Sequence, residues 1–162
     1  MPRVALWLGI SALIVVLDQA TKYAMVQLLS PGDRIALLPF FSLVLTYNPG
    51  AAFSFLASAS GWQRYFFVVL ALAVSALLVW MIVKNQQDRF LCLALALVLG
   101  GAIGNVIDRV AIGAVVDFVL LHWRHYHWPA FNVADSSITV GAALLIWDGF
   151  VRSRGSSEPG AT

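Results

Sequence analysis

The chain has 162 residues, of which 60% are apolar and only 11% charged, with a net charge of +2 and a mean hydropathy of +0.85. A soluble domain carries roughly 25% charged residues, and a fold this small has too little interior for so much apolar surface, so an ordinary soluble enzyme and a disordered chain are both excluded. The charge is too small and scattered for a nucleic-acid partner, and the single Cys92 excludes an internal disulfide and a Cys-rich metal site.

The apolar residues fall into four blocks of about 20, the length that crosses a bilayer. The first predicted span runs from Val4 to about Met25. Arg3 before it resembles the start of a signal peptide, but no small-x-small cleavage pattern follows and Asp18 and Lys22 interrupt its end, so an uncleaved anchor is expected. In residues 26–64, Phe41, Leu43, Leu45 and Tyr47 alternate with Ser42, Val44 and Thr46, the period of a strand. Pro31-Gly32-Asp33 and Asn48-Pro49-Gly50 read as flanking turns, which predicts a small sheet at the membrane surface.

The second and third spans, Tyr65–Val83 and Phe90–Ile107, contain no charge. Cys92 reads as an apolar filler in the third, and Gly100, Gly101 and Gly104 as sites of close helix packing. Residues 108–132 are apolar for a connection, with Val115, Val116, Phe118, Val119, Leu120 and Leu121, and are expected to lie in the interface. The fourth span runs from about Val133 to Val151, and the polar tail 153–162 is expected to be disordered. The whole reads as a single membrane domain.

Arg3, Lys84, Arg89, Arg152 and Arg154 crowd into short segments on one side, while Arg34, Arg64, Arg109 and Arg124 are spread over much longer ones on the other. The positive-inside rule therefore predicts cytoplasmic termini, a cytoplasmic Lys84–Gln87 loop and an extracytoplasmic Ser58-Ala59-Ser60. Trp7, Trp62, Tyr65, Trp80, Trp123, Trp128 and Trp147 fall near span ends, where an aromatic belt is expected.

A charge in a bilayer is costly, so each polar residue at a span needs a reason. Asp18 and Lys22 close span one, Asn105, Asp108 and Arg109 close span three, and Asn132 and Asp135 open span four. Successive spans alternate in direction, so these three ends share one face of the membrane, with Asn48 and Asp117 beside them in the connections. Asp18 and Lys22 are i, i+4 and suit an ion pair, as do Asp148 and Arg152 at the other face. Asp117 has no basic neighbour within four residues, and Asp135 opens a span. Two close carboxylates cannot both ionise easily; one keeps a proton and the other is a base, which suits attack of water on an amide. The residues alone leave three readings open: a catalytic dyad, a proton-relay pair in a small transporter, and a structural network.

Other chemistries lack their signatures. There is no His-Glu-x-x-His and no Gly-x-Ser-x-Gly, Ser54 has no evident base, and His122, His125 and His127 read as part of an interfacial aromatic cluster.

Five ordered blocks carry a resemblance: Asp18-Gln19-Ala20-Thr21-Lys22, Tyr47-Asn48-Pro49-Gly50-Ala51-Ala52-Phe53-Ser54, Gly104-Asn105-Val106-Ile107-Asp108-Arg109, Val115-Val116-Asp117-Phe118 and Phe131-Asn132-Val133-Ala134-Asp135-Ser136. Through them the chain resembles the lipoprotein signal peptidases, the type II signal peptidases of bacteria. Pro49 departs from the family's frequent Thr. The resemblance implies four transmembrane helices with an extracytoplasmic β-sheet cradle and a short interfacial helix or flap. It implies an aspartyl peptidase of the inner membrane, with its active site on the periplasmic face. Its substrates would be prolipoproteins already carrying diacylglycerol on a Cys, cut just before that Cys. Asp117 and Asp135 would then be catalytic, Asn48, Asn105, Arg109 and Asn132 would bind substrate, and Asp18, Lys22 and Asp108 would support them. Membrane lipids are the expected surroundings, a monomer the expected state, and no metal or cofactor is implied.

Overall fold

The structure is a computed structural model, and it describes residues 2–50 and 62–155. Ser54, the loop at 58–60 and the far end of the tail lie outside the described residues. In chain order the elements are α1 (Pro2–Leu28), β1 (Arg34–Leu38), β2 (Phe41–Asn48), α2 (Trp62–Lys84), α3 (Arg89–Ala111), β3 (Val115–Trp123), β4 (Tyr126–His127) and α4 (Val133–Gly155).

All four helices are long and apolar enough to cross a membrane, and each overruns its predicted span by a few residues, because a helix continues past the hydrocarbon while its backbone bonds are satisfied. α3 is the central helix and packs against the other three. Its glycines explain how they come so close. A Cβ at Gly101 would lie 2.4 Å from Ala134 O, and one at Gly104 would lie 2.6 Å from Asp18 Oδ2. Gly141 of α4 returns the approach, since its Cβ would meet Ala94 O at 2.8 Å. Without water to drive helices together, such close backbone contact supplies the association.

At one end of the bundle Arg3 bonds Gln87, Arg152 bonds Asp88, and Trp7 donates to Gln86 O at 3.3 Å. Trp7 is thus a core residue rather than part of an aromatic belt. Cys92 fills the same core, fully buried.

The other end carries an antiparallel sheet in the order β1-β2-β3-β4. The β2 strand follows the predicted alternation, but its buried face does not. Ser42, Val44 and Leu45 are buried while Tyr47 is exposed, because the register shifts between Leu43 and Thr46 and a bulge exchanges the two faces. The segment read as an interfacial flap differs more. Residues 115–123 are β3, the strand that pairs with β2 and joins it to β4. Its first four residues are buried, so both faces are covered there and the sequence shows a continuous apolar run instead of alternation. Among the described residues no helix lies between α3 and α4.

Candidate active site

The ends of α1, α3 and α4 meet the β2–β3 pair, and the polar residues that the sequence places on one membrane face, from Asp18 and Lys22 to Asn132 and Asp135, converge there. Asp18 is fully buried. Its Oδ1 accepts the Ala134 N–H at 2.8 Å, an unpaired donor of the first turn of α4, and its Oδ2 lies 2.8 Å from Lys22 Nζ. Lys22 reaches Asp108 Oδ2 at the same distance and donates to Asn105 Oδ1 at 3.1 Å. Asp108 also accepts the Val116 N–H at 3.0 Å, which ties β3 to the end of α3. Asp18 and Lys22 form their ion pair, as the spacing predicts, but as part of this wider network.

Two asparagines carry the network to the other carboxylates. Lys22 occupies the amide oxygen of Asn105, so the nitrogen turns to Asp135 Oδ1 at 2.7 Å. Asn132 caps α4: its oxygen accepts the Asp135 N–H at 2.8 Å, which turns its nitrogen to Asp117 Oδ1 at 2.7 Å. The same nitrogen reaches Val116 O and Asn105 Oδ1 at 3.1 and 3.3 Å. In both amides a donor that cannot act as acceptor fixes which end faces the carboxylate. Asn132 is fully buried and engages its amide wholly within the protein, a geometry that orients the pair rather than lining a groove. Half-buried Asn48 donates to Asp117 Oδ2 at 3.3 Å and accepts from Gly50 N at 3.0 Å, a turn that Gly50 closes with φ of 107°.

Arg109 Nη1 donates to Asn105 O at 3.2 Å, and its guanidinium lies over Phe67, 5.4 Å from the ring centroid. Its buried Nε has no partner among the described residues. Gln19 was not singled out by sequence reasoning; its nitrogen donates to Asp108 Oδ1 at 2.8 Å and to Gly104 O at 3.2 Å. A polar residue beside Asp18 and three before Lys22 was the available signal.

Burial, and then the charge of Asp135, push the Asp117 carboxyl up to about 7, against the lowering effect of Asn48, Asn132 and Lys22. Asp135 is only half-buried and lines a cavity of about 420 Å³ between the first two turns of α4 and the Trp128–Phe131 segment. Asp117 is thus poised to take up or give up a proton near neutral pH, beside Asp135, which opens to the cavity. That arrangement can deprotonate a water and protonate a leaving group. Elsewhere, the His122 and His127 rings lie 5.9 Å apart, tilted by 30°, and His122 Nε2 is 2.9 Å from Ser42 Oγ. No group of three metal-ligating side chains occurs among the described residues.

Residues 10–151 match the family model of signal peptidase (SPase) II. The chain is 54% identical to a lipoprotein signal peptidase of Polynucleobacter necessarius subsp. necessarius over 93% of both chains. It is 50% identical to one of Paraburkholderia phymatum, over 93% of this chain and 90% of that one. The fold is similar to a bacterial membrane enzyme solved by the in meso method at 2.3 Å, with a TM-score of 0.85, 32% identity and coverage of 98% and 95%. A second such enzyme, solved at 1.9 Å, gives a TM-score of 0.79 and 34% identity over 89% of this chain and 92% of that one.

Proposed function

The chain belongs to the signal peptidase II family of multi-pass bacterial membrane peptidases, and from that premise we propose that it is an aspartic endopeptidase whose dyad is Asp117 and Asp135. Its substrate is a prolipoprotein with diacylglycerol on the lipobox Cys, cut on the amino side of that Cys. The enzyme works as a monomer in the inner membrane, with both termini in the cytoplasm and the sheet outside.

In the resting dyad one proton is held, on the more buried Asp117, while Asp135 faces the cavity as a base. Asp135 takes a proton from a water whose oxygen attacks the scissile carbonyl carbon, and Asp117 gives its proton to the carbonyl oxygen. Collapse of the tetrahedral intermediate returns that proton to Asp117 and passes the one on Asp135 to the leaving nitrogen. Asn105 and Asn132 hold the carboxylates, and Asn48 and Arg109 bind the extended substrate backbone. The acyl chains fix the cleavage site at the interface, and their binding energy orients a bond far from them.

The observation that carries this reading is that each carboxylate is held by asparagine amides, Asp135 by Asn105 and Asp117 by Asn132 and Asn48, with no ion pair to either among the described residues. The test uses the purified chain in lipid nanodiscs with a lipobox peptide, lipidated or not. Cleavage of the lipidated peptide only, lost in Asp117→Asn and Asp135→Asn variants that melt normally, is expected. Equal cleavage of both peptides would sink the substrate assignment, and turnover by either variant would sink the dyad.

A further inference from the structure

One end of the sheet carries a surface that the catalytic reading leaves unused. The β1–β2 turn and the β3–β4 hairpin meet there, with the His122 N–H donating to Phe40 O at 2.9 Å. Trp123, Tyr126 and Trp128 are 65%, 82% and 67% exposed, and Leu38 and Phe40 are about half exposed beside them. Contiguous apolar surface of this kind marks a docking face.

The face is also basic. No Asp or Glu occurs in residues 34–48 or 118–134, while Arg124 and His125 form the exposed hairpin tip. Arg124 sits at φ 53°, a conformation that Gly or Asn would take more readily. The chain holds a cation where the turn alone would favour another residue.

The depth of this face follows from the helix beside it. Leu121 and Trp128 line the same cavity as Thr139 and Val140. Val140 is seven residues beyond Val133, about 10 Å along α4. The base of the hairpin therefore lies level with the first two turns of a membrane span, the depth at which Trp and Tyr meet headgroups.

We propose that the β3–β4 hairpin is a second membrane contact: its aromatic side chains enter the leaflet on the sheet's side, and Arg124 and His125 engage the phosphates of anionic lipids. Aromatic bodies with polar tips favour that boundary, and basic residues near it are drawn to a negative lipid surface. The contact holds β3, and with it Asp117, at a fixed depth. The inference does not depend on Asp117 being catalytic.

The test uses the full chain with Cys92→Ala, labelled with a bimane fluorophore at Tyr126→Cys or, separately, at Trp123→Cys. The proteins are placed in nanodiscs of phosphatidylcholine with or without phosphatidylglycerol. Brominated lipids report contact with the acyl region, and iodide reports exposure to water. Loss of most of the emission to bromolipid at both positions, greater with phosphatidylglycerol and lessened by Arg124→Gln, is expected. Quenching by iodide but not by bromolipid at both positions would overturn the contact. Protection from both quenchers would also overturn it, pointing to a second copy as the occupant. Bromolipid quenching indifferent to lipid charge would overturn the anionic-headgroup assignment.

Discussion

Three pairs of aspartates stand at the two ends of this bundle, and they are handled in two ways. Asp18 and Asp108 share Lys22, each 2.8 Å from its Nζ. At the far end Asp88 and Asp148 share Arg152. Asp117 and Asp135 share no cation within ion-pair distance among the described residues; each is held by its own asparagine amide, Asn132 and Asn105, and the two amides meet at 3.3 Å. A shared cation favours ionised carboxylates and gives them nothing to exchange. An amide N–H also favours the ionised form, but it brings no full charge, so at Asp117 burial and the charge of Asp135 outweigh it and leave a proton to exchange. Asp88, outside the membrane, shows the first case: the Leu91 N–H, followed by Arg152, holds its carboxyl below the ordinary value. Asp117 shows the second, raised to about 7.

The largest expected effect breaks the third pair. Asp117→Asn or Asp135→Asn should lower turnover by about 10²–10⁴-fold, the usual contribution of a positioned acid or base. Melting should hold, because an amide keeps nearly the same shape. Turnover of a lipidated peptide beside a melting curve checks both halves.

Breaking the first pair should act on folding instead. Lys22→Met leaves Asp18 and Asp108 buried and uncompensated, at a cost of about 3–5 kcal/mol. A thermal melt reads it, and adding Asp108→Asn should restore part of the loss. If Lys22→Met melts normally, the network is not what ties β3 to the bundle.

These two pairs also mark how far the sequence could be read. The four spans and the shared face of the polar residues were legible because bilayer length and alternating direction fix them without tertiary detail. Asp18 and Lys22 were legible as a pair from their spacing, but Asp108 as a partner was not, since it comes from another helix. The strand at 115–123 was hidden because burial on both faces erases its alternation. The role of Asn132 was equally hidden: Asn before a helix is a cap signal, yet its donation to Asp117 depends on where β3 lies.

A smaller effect appears in the pH profile. In the folded chain Asp117 titrates near 7, above the ordinary 3.8. The native state therefore binds more protons than the unfolded state between those values, and the contribution of Asp117 to stability falls as pH rises through about 7. The Asp117→Asn variant should lack that decline. In catalysis, loss of the shared proton should give kcat/KM an alkaline limb near pH 7. Asn48 lowers the value, so Asn48→Ala should move the limb to higher pH. A limb that stays put or moves down would show that Asn48 does not act on Asp117.

The smallest effect belongs to the far end. Arg152 is 57% exposed, so its ion pairs compete with water and are screened by salt. Arg152→Gln removes both of them, but Asp88 keeps its bond from the Leu91 N–H at 3.1 Å, so the cap of α3 survives. Melting should shift little, any shift should shrink in high salt, and turnover should be unchanged because this pair lies at the opposite end of the bundle from Asp117. The comparison with Lys22→Met is then direct. Each substitution removes the one cation shared by two aspartates, and burial is the main difference between the sites. If Arg152→Gln lowers melting as much as Lys22→Met does, and does so equally in high salt, then burial is not what separates the two ends, and the structural weight given to Lys22 would have to be sought in its bond to Asn105.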